Sequence, residues 1–233
     1  MKHSTRQLTL ALRPPLRWGG RREGAGRKPG PRPRDSHRRR PALAARFPCH
    51  VTLRLRRNLP SLRSRRFVGE LRRFLRPARE RRGFRLVHYS VQVDHIHLIV
   101  EAASSRDLAC GMKSIAARIA RGVNRVFSRR GPVVADRYHR RVLRTPREVR
   151  SALAYVLLNV RKHWRQRFRV APPVRIDEAS SGRWFDGWRL APANREPPES
   201  PERGREVAPP RTWLLRAGWR RHGLIDPDEV PGG

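Results

Sequence analysis

The sequence predicts an α+β fold: a ferredoxin-like antiparallel sheet with helices on one face, followed by a C-terminal helix that carries the candidate chemistry. Two observations predict it. Short stretches alternate polar and apolar residues with the period of a half-buried strand, and between them apolar residues recur every three or four positions, as one face of a helix requires. Their order is β-α-β-β-α-β and then a helix, which is the split arrangement of two helices over an antiparallel sheet.

The first strand is His50-Val-Thr-Leu-Arg-Leu55, which alternates throughout. Ser61 to Gly83 has a helical pattern, with Phe67, Val68, Leu71 and Phe74 on one side and Gly83 as its stop. Phe84 to Val93 alternates again. His95 to Glu101 follows a tight turn near Asp94 and makes a third strand. Ser105 to Arg129 is a long helix whose apolar stripe is Leu108, Met112, Ile115, Ile119, Val123 and Phe127. Pro132 to Leu143 holds the fourth strand. Thr145 then caps a helix that has Pro146 at its first position and Glu148 at the capping-box position, and that runs to about Trp164.

Charge points to the partner. The 233 residues include 55 Lys+Arg against 19 Asp+Glu, a formal net charge of +36. Only Lys2, Lys28, Lys113 and Lys162 are lysines, so 51 of the basic residues (55 − 4) are arginines. Codon bias explains arginine over lysine but not the shortage of acids, so a polyanion, nucleic acid, is the expected partner. Residues 1–46 are rich in Arg, Gly and Pro; up to Arg40 they carry 13 basic and 2 acidic residues, net +11. That stretch reads as a mobile basic arm. Residues 47–165 form the expected domain, and 166–233 a Pro/Arg-rich extension in which 190–211 is a linker. The islands around Trp184, Trp188, Trp213 and Trp219 are expected to pack into a core, with base stacking as the other use. Cys49 and Cys110 form no metal or disulfide pattern. No apolar run reaches the ~18 residues that a membrane span needs, so the expectation is a soluble intracellular protein with no membrane partner.

Alternation sorts the strands into two faces. Val51, Leu53, Leu55, Val87, Tyr89, Val91, Val93, Ile96, Leu98 and Val100 form the helix-covered side. His50, Thr52, Arg54, His88, Ser90, Gln92, His95 and His97 form the other, which is expected to face solvent or a ligand rather than a second core. His95 and His97 project in parallel and either grip one metal ion or are two satisfied surface histidines. On the last helix Tyr155 and Asn159 are four residues apart, on a polar stripe with Glu148, Ala152 and His163. Val149, Leu153, Val156, Leu157 and Val160 form the docking side. Tyr155 is either an aromatic at the edge of the core or a nucleophile for a phosphodiester, with the Asn159 amide oxygen completing a metal site.

Ser90-Val-Gln-Val-Asp-His-Ile-His97, followed 58 residues later (155 − 97) by Tyr155-Val-Leu-Leu-Asn159, resembles the single-tyrosine HUH transposases of bacterial insertion sequences and the REP-associated tyrosine transposases. The resemblance covers about residues 48–165. It implies a ferredoxin-like fold, usually dimeric, and a bacterial protein of the cytoplasm, at the nucleoid. It further implies Mg²⁺ or Mn²⁺ on His95, His97 and Asn159, and a 5′-phosphotyrosine formed by Tyr155 on single-stranded or hairpin DNA. Val160 stands where REP-associated members usually carry proline. Arg54, Gln92, Arg137, Tyr138, His139, Arg140 and Arg141 are the expected nucleic-acid contacts, Tyr138 ranking behind Tyr155 as nucleophile because only Tyr155 has an amide at helical spacing. The rival reading is a non-catalytic basic DNA- or RNA-binding protein on the same fold. A metal-dependent hydrolase fits less well, since no base for water is placed.

Overall fold

The computed structural model describes residues 40–170, 174–190 and 204–231. Residues 1–39, most of the expected basic arm, lie outside the described residues, as do 191–203 of the expected linker. Five antiparallel strands form one sheet: β1 (Cys49–Arg54), β2 (Glu80–Arg81), β3 (Phe84–Val91), β4 (His95–Ala102) and β5 (His139–Val142), in the order β2-β3-β4-β1-β5. With the two-residue β2 set aside, β1 lies between the second hairpin strand and the last strand, as the ferredoxin-like split arrangement requires.

Helices α1 (Arg65–Leu75) and α2 (Ser105–Val126) cover one face. Ser64 and Ser104 cap them, each accepting the backbone N–H three residues on. The α2 stripe Leu108, Met112, Ile115, Ile119 and Val123 is buried against Val51, Leu53, Tyr89, Ile96, Leu98 and Val100, as the periodicity requires. The expected helix at 61–83 is shorter. After α1 the chain makes one 3-10 turn over Pro77 and then β2, and Gly83, at φ +73°, forms the β2–β3 turn rather than a helix stop.

The opposite face differs from expectation. Helix α3 (Pro146–Leu157) docks on it through Val149, Leu153, Val156 and Leu157, which join Val87 and Ile99 in a second apolar cluster. The capping box of Thr145 and Glu148 is formed as expected. Val87 belongs to this cluster and not to the first because the register slips between Leu86 and His88. That bulge turns one residue of the alternation over. Val93, also expected in the first core, lies beyond the end of β3 and is 60% exposed.

The C-terminal extension completes the second cluster. Phe185, Trp188, Leu214, Leu215, Trp219 and Ile225 pack over α3 and the sheet, so the tryptophan islands act chiefly as core, although Trp213 remains exposed. Two buried carboxylates fasten the extension to the strands. Glu206 accepts from the Tyr89 hydroxyl at 2.9 Å, the Trp184 indole at 2.8 Å and Arg183 at 2.8 Å. Glu101 accepts from the Arg211 and Thr212 backbone N–H groups and from the Thr212 hydroxyl. Buried charge is tolerated only with such a set of donors. Residues 204–211 are therefore not linker: Glu206, Val207 and Ala208 are fully buried, and the Ala208 N–H donates to the Leu86 carbonyl.

His88 lies under this extension, with Nδ1 3.1 Å from the Ser181 hydroxyl and its ring edge-on to Phe185. Burial, and to a lesser degree Arg205, pushes its imidazole down to about 3. An unfolded histidine titrates near 6.5, so the unfolded chain binds the extra proton between the two values. The stability that neutral His88 contributes is complete above about pH 6.5 and is lost as pH falls toward 3. Denaturant titrations of the metal-free protein from pH 7 to 4 are expected to show this loss. In His88→Gln the slope should fall by about 1.4 kcal/mol per pH unit; parallel profiles would contradict the assignment.

Candidate active site

The β1–β4 register places Thr52 opposite His97 and Arg54 opposite His95, and β5 adds His139 beside Thr52 and Arg141 beside His50. Alternation then sends His50, Thr52, His95 and His97 to the same face. There Tyr155 of α3 meets them. Its ring centroid is 5.1 Å from that of His97 and 5.7 Å from that of His50, both edge-on. These side chains, with Arg54, Arg141, Glu148, Arg150 and His163, line a cavity of about 720 Å³. Glu148, Ala152, Tyr155 and His163 all reach it, so the polar stripe expected on the last helix is real along most of its length.

The imidazoles are arranged by their neighbours. His95 Nδ1 is 2.7 Å from the Asp94 carboxylate, which accepts its N–H, orients the ring and turns Nε2 toward the cavity. His97 Nδ1 has two neighbours, His50 Nε2 at 3.1 Å and the Thr52 hydroxyl at 3.2 Å. The two outward nitrogens, Nε2 of His95 and Nε2 of His97, are 3.1 Å apart. Two ligands at right angles on one octahedral cation, each at about 2.1 Å, would stand about 3.0 Å apart, so the pair suits a divalent ion. Burial first, then His50, His95 and His163, pushes His97 down to about 3. Burial first, then His139 and Arg141, pushes His50 down to about 4. At neutral pH both rings are uncharged, as a metal ligand and its neighbour must be. Among the described residues no group of three His, Cys, Asp or Glu side chains is placed to hold a metal ion. The pair supplies two ligands, and any third must be an amide, water or substrate oxygen.

Asn159 is the residue whose position departs from the helical expectation. The helix breaks at Leu158 (φ −109°, ψ 14°), and a new helix, α4 (Asn159–Phe168), begins there. Val156, Leu157, Leu158 and Asn159 are all buried, which a straight helix with one docked face does not allow; α3 is covered by the sheet on one side and by the extension on another. Asn159 is therefore 0% exposed and does not line the cavity wall, and neither its amide oxygen nor its nitrogen has a hydrogen-bond partner. A buried carboxamide with both ends unmet is rare enough to require a cause, and a group that accepts a cation is one.

Of the expected nucleic-acid contacts, Arg54 and Arg141 line the cavity. The others do not. Gln92 is buried, its amide donating to the Ser90 hydroxyl at 2.8 Å. Tyr138 packs on the first core beneath the Arg40 guanidinium, which lies 4.1 Å above its ring. Arg140 donates to the Pro41 carbonyl, the Arg137 backbone N–H is held by the Asp136 carboxylate, and His139 is exposed on β5. His50, Thr52, Asp94 and Lys162 were not among the expected site residues. Lys162 Nζ lies 5.2 Å from the Tyr155 ring centroid. Asp94 could have been read from its place next to His95, whereas the other three depend on register and on the helix break.

Fold and side chains define a class: a ferredoxin-like sheet presenting a His-hydrophobe-His pair to a tyrosine on a helix. Residues 46–140 match the family described as IS200-like transposase. The matched stretch contains both histidines and ends before α3 begins. Among solved structures, a REP-associated tyrosine transposase bound to a REP hairpin is similar at 18% identity and a TM-score of 0.45, over 55% of this chain and 74% of that one. No curated protein matches in sequence.

The unmet amide makes a prediction that does not depend on activity. Asn159→Leu fills nearly the same volume without the unpaired polar atoms. It is expected to raise the unfolding free energy of the metal-free protein by about 1–3 kcal/mol in a denaturant titration. A loss of stability would mean that the amide has a partner in the apo protein.

Proposed function

We propose that this protein is a transposase that cuts and rejoins single-stranded DNA through a 5′-phosphotyrosine link at Tyr155, with Mg²⁺ or Mn²⁺ held by His95, His97 and Asn159. The observation that carries the reading is the meeting of Tyr155 with the paired imidazoles in one cavity rimmed by Arg54 and Arg141. The orphaned Asn159 amide lies four residues beyond the tyrosine, across the helix break and behind the cavity wall, and its unmet oxygen is what supports it as third ligand. When bound, the cation supplies positive charge to the non-bridging phosphate oxygens as charge builds on them.

The chain's own groups do the rest. Arg54 and Arg141 attract and orient the phosphate, and Lys162 adds a further positive charge beside the Tyr155 ring. The phenol oxygen attacks phosphorus, and the bond to the 3′ oxygen breaks. That oxygen leaves as a 3′-hydroxyl, taking up the proton that the phenol gives up, while the 5′ phosphate stays on Tyr155. Attack by a 3′-hydroxyl in the reverse sense rejoins the strand. The bond is exchanged rather than hydrolysed, so no nucleotide cofactor is needed. Tyr155 and the histidines of one chain share the cavity. A homodimer, which the resemblance implies, would therefore pair two complete sites. Hairpin DNA remains the preferred partner in this reading, its phosphates meeting the basic surface.

Tyr155→Phe is expected to abolish covalent protein–DNA adducts on a labelled hairpin-bearing single strand with Mn²⁺, while hairpin binding by gel shift is retained. Adducts persisting in that variant would sink the assignment and leave the non-catalytic binder. Asp94→Asn removes the carboxylate that orients His95. It is expected to weaken Mn²⁺ binding, followed by the EPR signal of the free ion, about 10- to 100-fold. An unchanged affinity would mean that His95 does not ligate.

A further inference from the structure

Helix α4 separates two cavities. His163 lines the tyrosine cavity, while Val160, Arg161 and Trp164, its neighbours in sequence, line a second cavity of about 670 Å³ on the other flank. Trp164 is 37% exposed and Phe168, one turn on, 47%. Their rings lie 4.5 Å apart, and the Arg167 guanidinium stands 5.2 Å from the Phe168 ring. Elsewhere the large aromatics are mostly taken up by the two cores, so an exposed aromatic pair needs a reason. The charge along this stretch of chain is of one sign. From Arg161 to Arg169 the chain carries five basic residues, Arg161, Lys162, Arg165, Arg167 and Arg169, and no acid. Across the cavity Arg65 and Arg175 are exposed and have no ion-pair partner among the described residues. Two carboxylates also line the cavity: Asp177 is buried and already held by Arg63 at 2.7 Å and 2.9 Å, and Glu178 is exposed.

We propose that this second cavity is a base-stacking subsite for the single strand that flanks the scissile phosphate. Trp164 and Phe168 receive unstacked bases, and Arg65 and Arg175 hold the adjoining phosphates. This rests on the reading of Tyr155 as the nucleophile only for the strand's direction of travel. A strand leaving Tyr155 past His163 crosses a single helix, about 10–12 Å wide, to reach Trp164, a distance of a few nucleotides. Aromatic faces beside a basic groove are how proteins hold single strands without reading sequence, because every base has a π-face to offer. A subunit contact would not require Arg65 and Arg175 to lack carboxylate partners, whereas a polyanion draws on such unpaired cations.

The test compares two labelled single strands with the same phosphates, an oligothymidylate and its fully abasic counterpart, by fluorescence anisotropy on the full chain. Wild type is expected to bind the base-bearing strand roughly 5- to 150-fold more tightly, the range for stacking of one base on an aromatic. Trp164→Ala should lose most of that preference while its affinity for the abasic strand is unchanged, and Phe168→Ala should lose part of it. A preference kept intact in both variants overturns the proposal. So does a change in sedimentation on Trp164→Ala with no change in DNA preference, which would make the patch an interface between copies. None of these readouts needs cleavage. Failure of the Tyr155 adduct test would therefore leave this result standing, and the reverse holds too.

Discussion

The site depends on the antiparallel register of β1 against β4. With Thr52 opposite His97, two central strands present His50, Thr52, His95 and His97 on one face, close enough for their polar atoms to touch. A shift of one residue would exchange the faces, sending the imidazoles into the α1–α2 core and Leu53 and Leu98 to solvent. The same apolar residues that close the first core therefore fix the histidines, and no separate device is needed to aim them. The strongly apolar Ile96 and Leu98 between and beside the histidines hold the pair in rigid sheet, which is where a ligand set keeps its geometry.

The second face combines two uses that usually compete. Val87 and Ile99 give α3 an apolar seat, and polar residues one strand away leave a cavity beside it. The bulge at Leu86–His88 makes this possible by turning Val87 toward α3 without disturbing Tyr89 and Val91. The C-terminal extension then covers the outer side of α3 and buries Trp219 and Leu215. A helix gripped on both sides cannot remain amphipathic in one direction only, and the break at Leu158 is where that conflict is resolved. The break also separates the functions of the two halves. Tyr155 stays on the cavity, Asn159 turns inward, and α4 carries its basic and aromatic residues outward.

Much of this was legible in the sequence and some of it could not have been. The strand and helix periods of residues 50–129 carry over, as do the capping box at Thr145–Glu148, the histidine pair and the tyrosine stripe, because each is a local pattern set by side-chain direction. The two-residue β2, the bulge and the kink leave no such pattern. The burial of residues 206–208 was hidden for another reason. A Pro/Arg-rich segment reads as linker until Glu206 is seen to meet Tyr89, Trp184 and Arg183, partners up to 117 residues away. Composition marks Gln92 and Tyr138 as polar or aromatic near the site, while only packing shows the Gln92 amide meeting Ser90 and the Arg40 guanidinium covering the Tyr138 ring.

Electrostatics ties the two levels together. The cavity holds three imidazoles within contact distance and arginines on its rim, yet burial and mutual repulsion keep His50 and His97 neutral at physiological pH. Were they protonated, the cluster would add positive charge to a site already rich in it and would lose its lone pairs. Neutral rings instead leave the arginines to attract phosphate over distance, while the nitrogens remain available at close range. Long-range attraction and short-range ligation thus belong to different residue types. Arg54 and Arg141 line the rim, and His50 and His97 are held uncharged by the same packing that buries them. An arginine-rich chain can in this way draw in a polyanion through its surface and still offer a cation-binding pair at the bottom of one cavity.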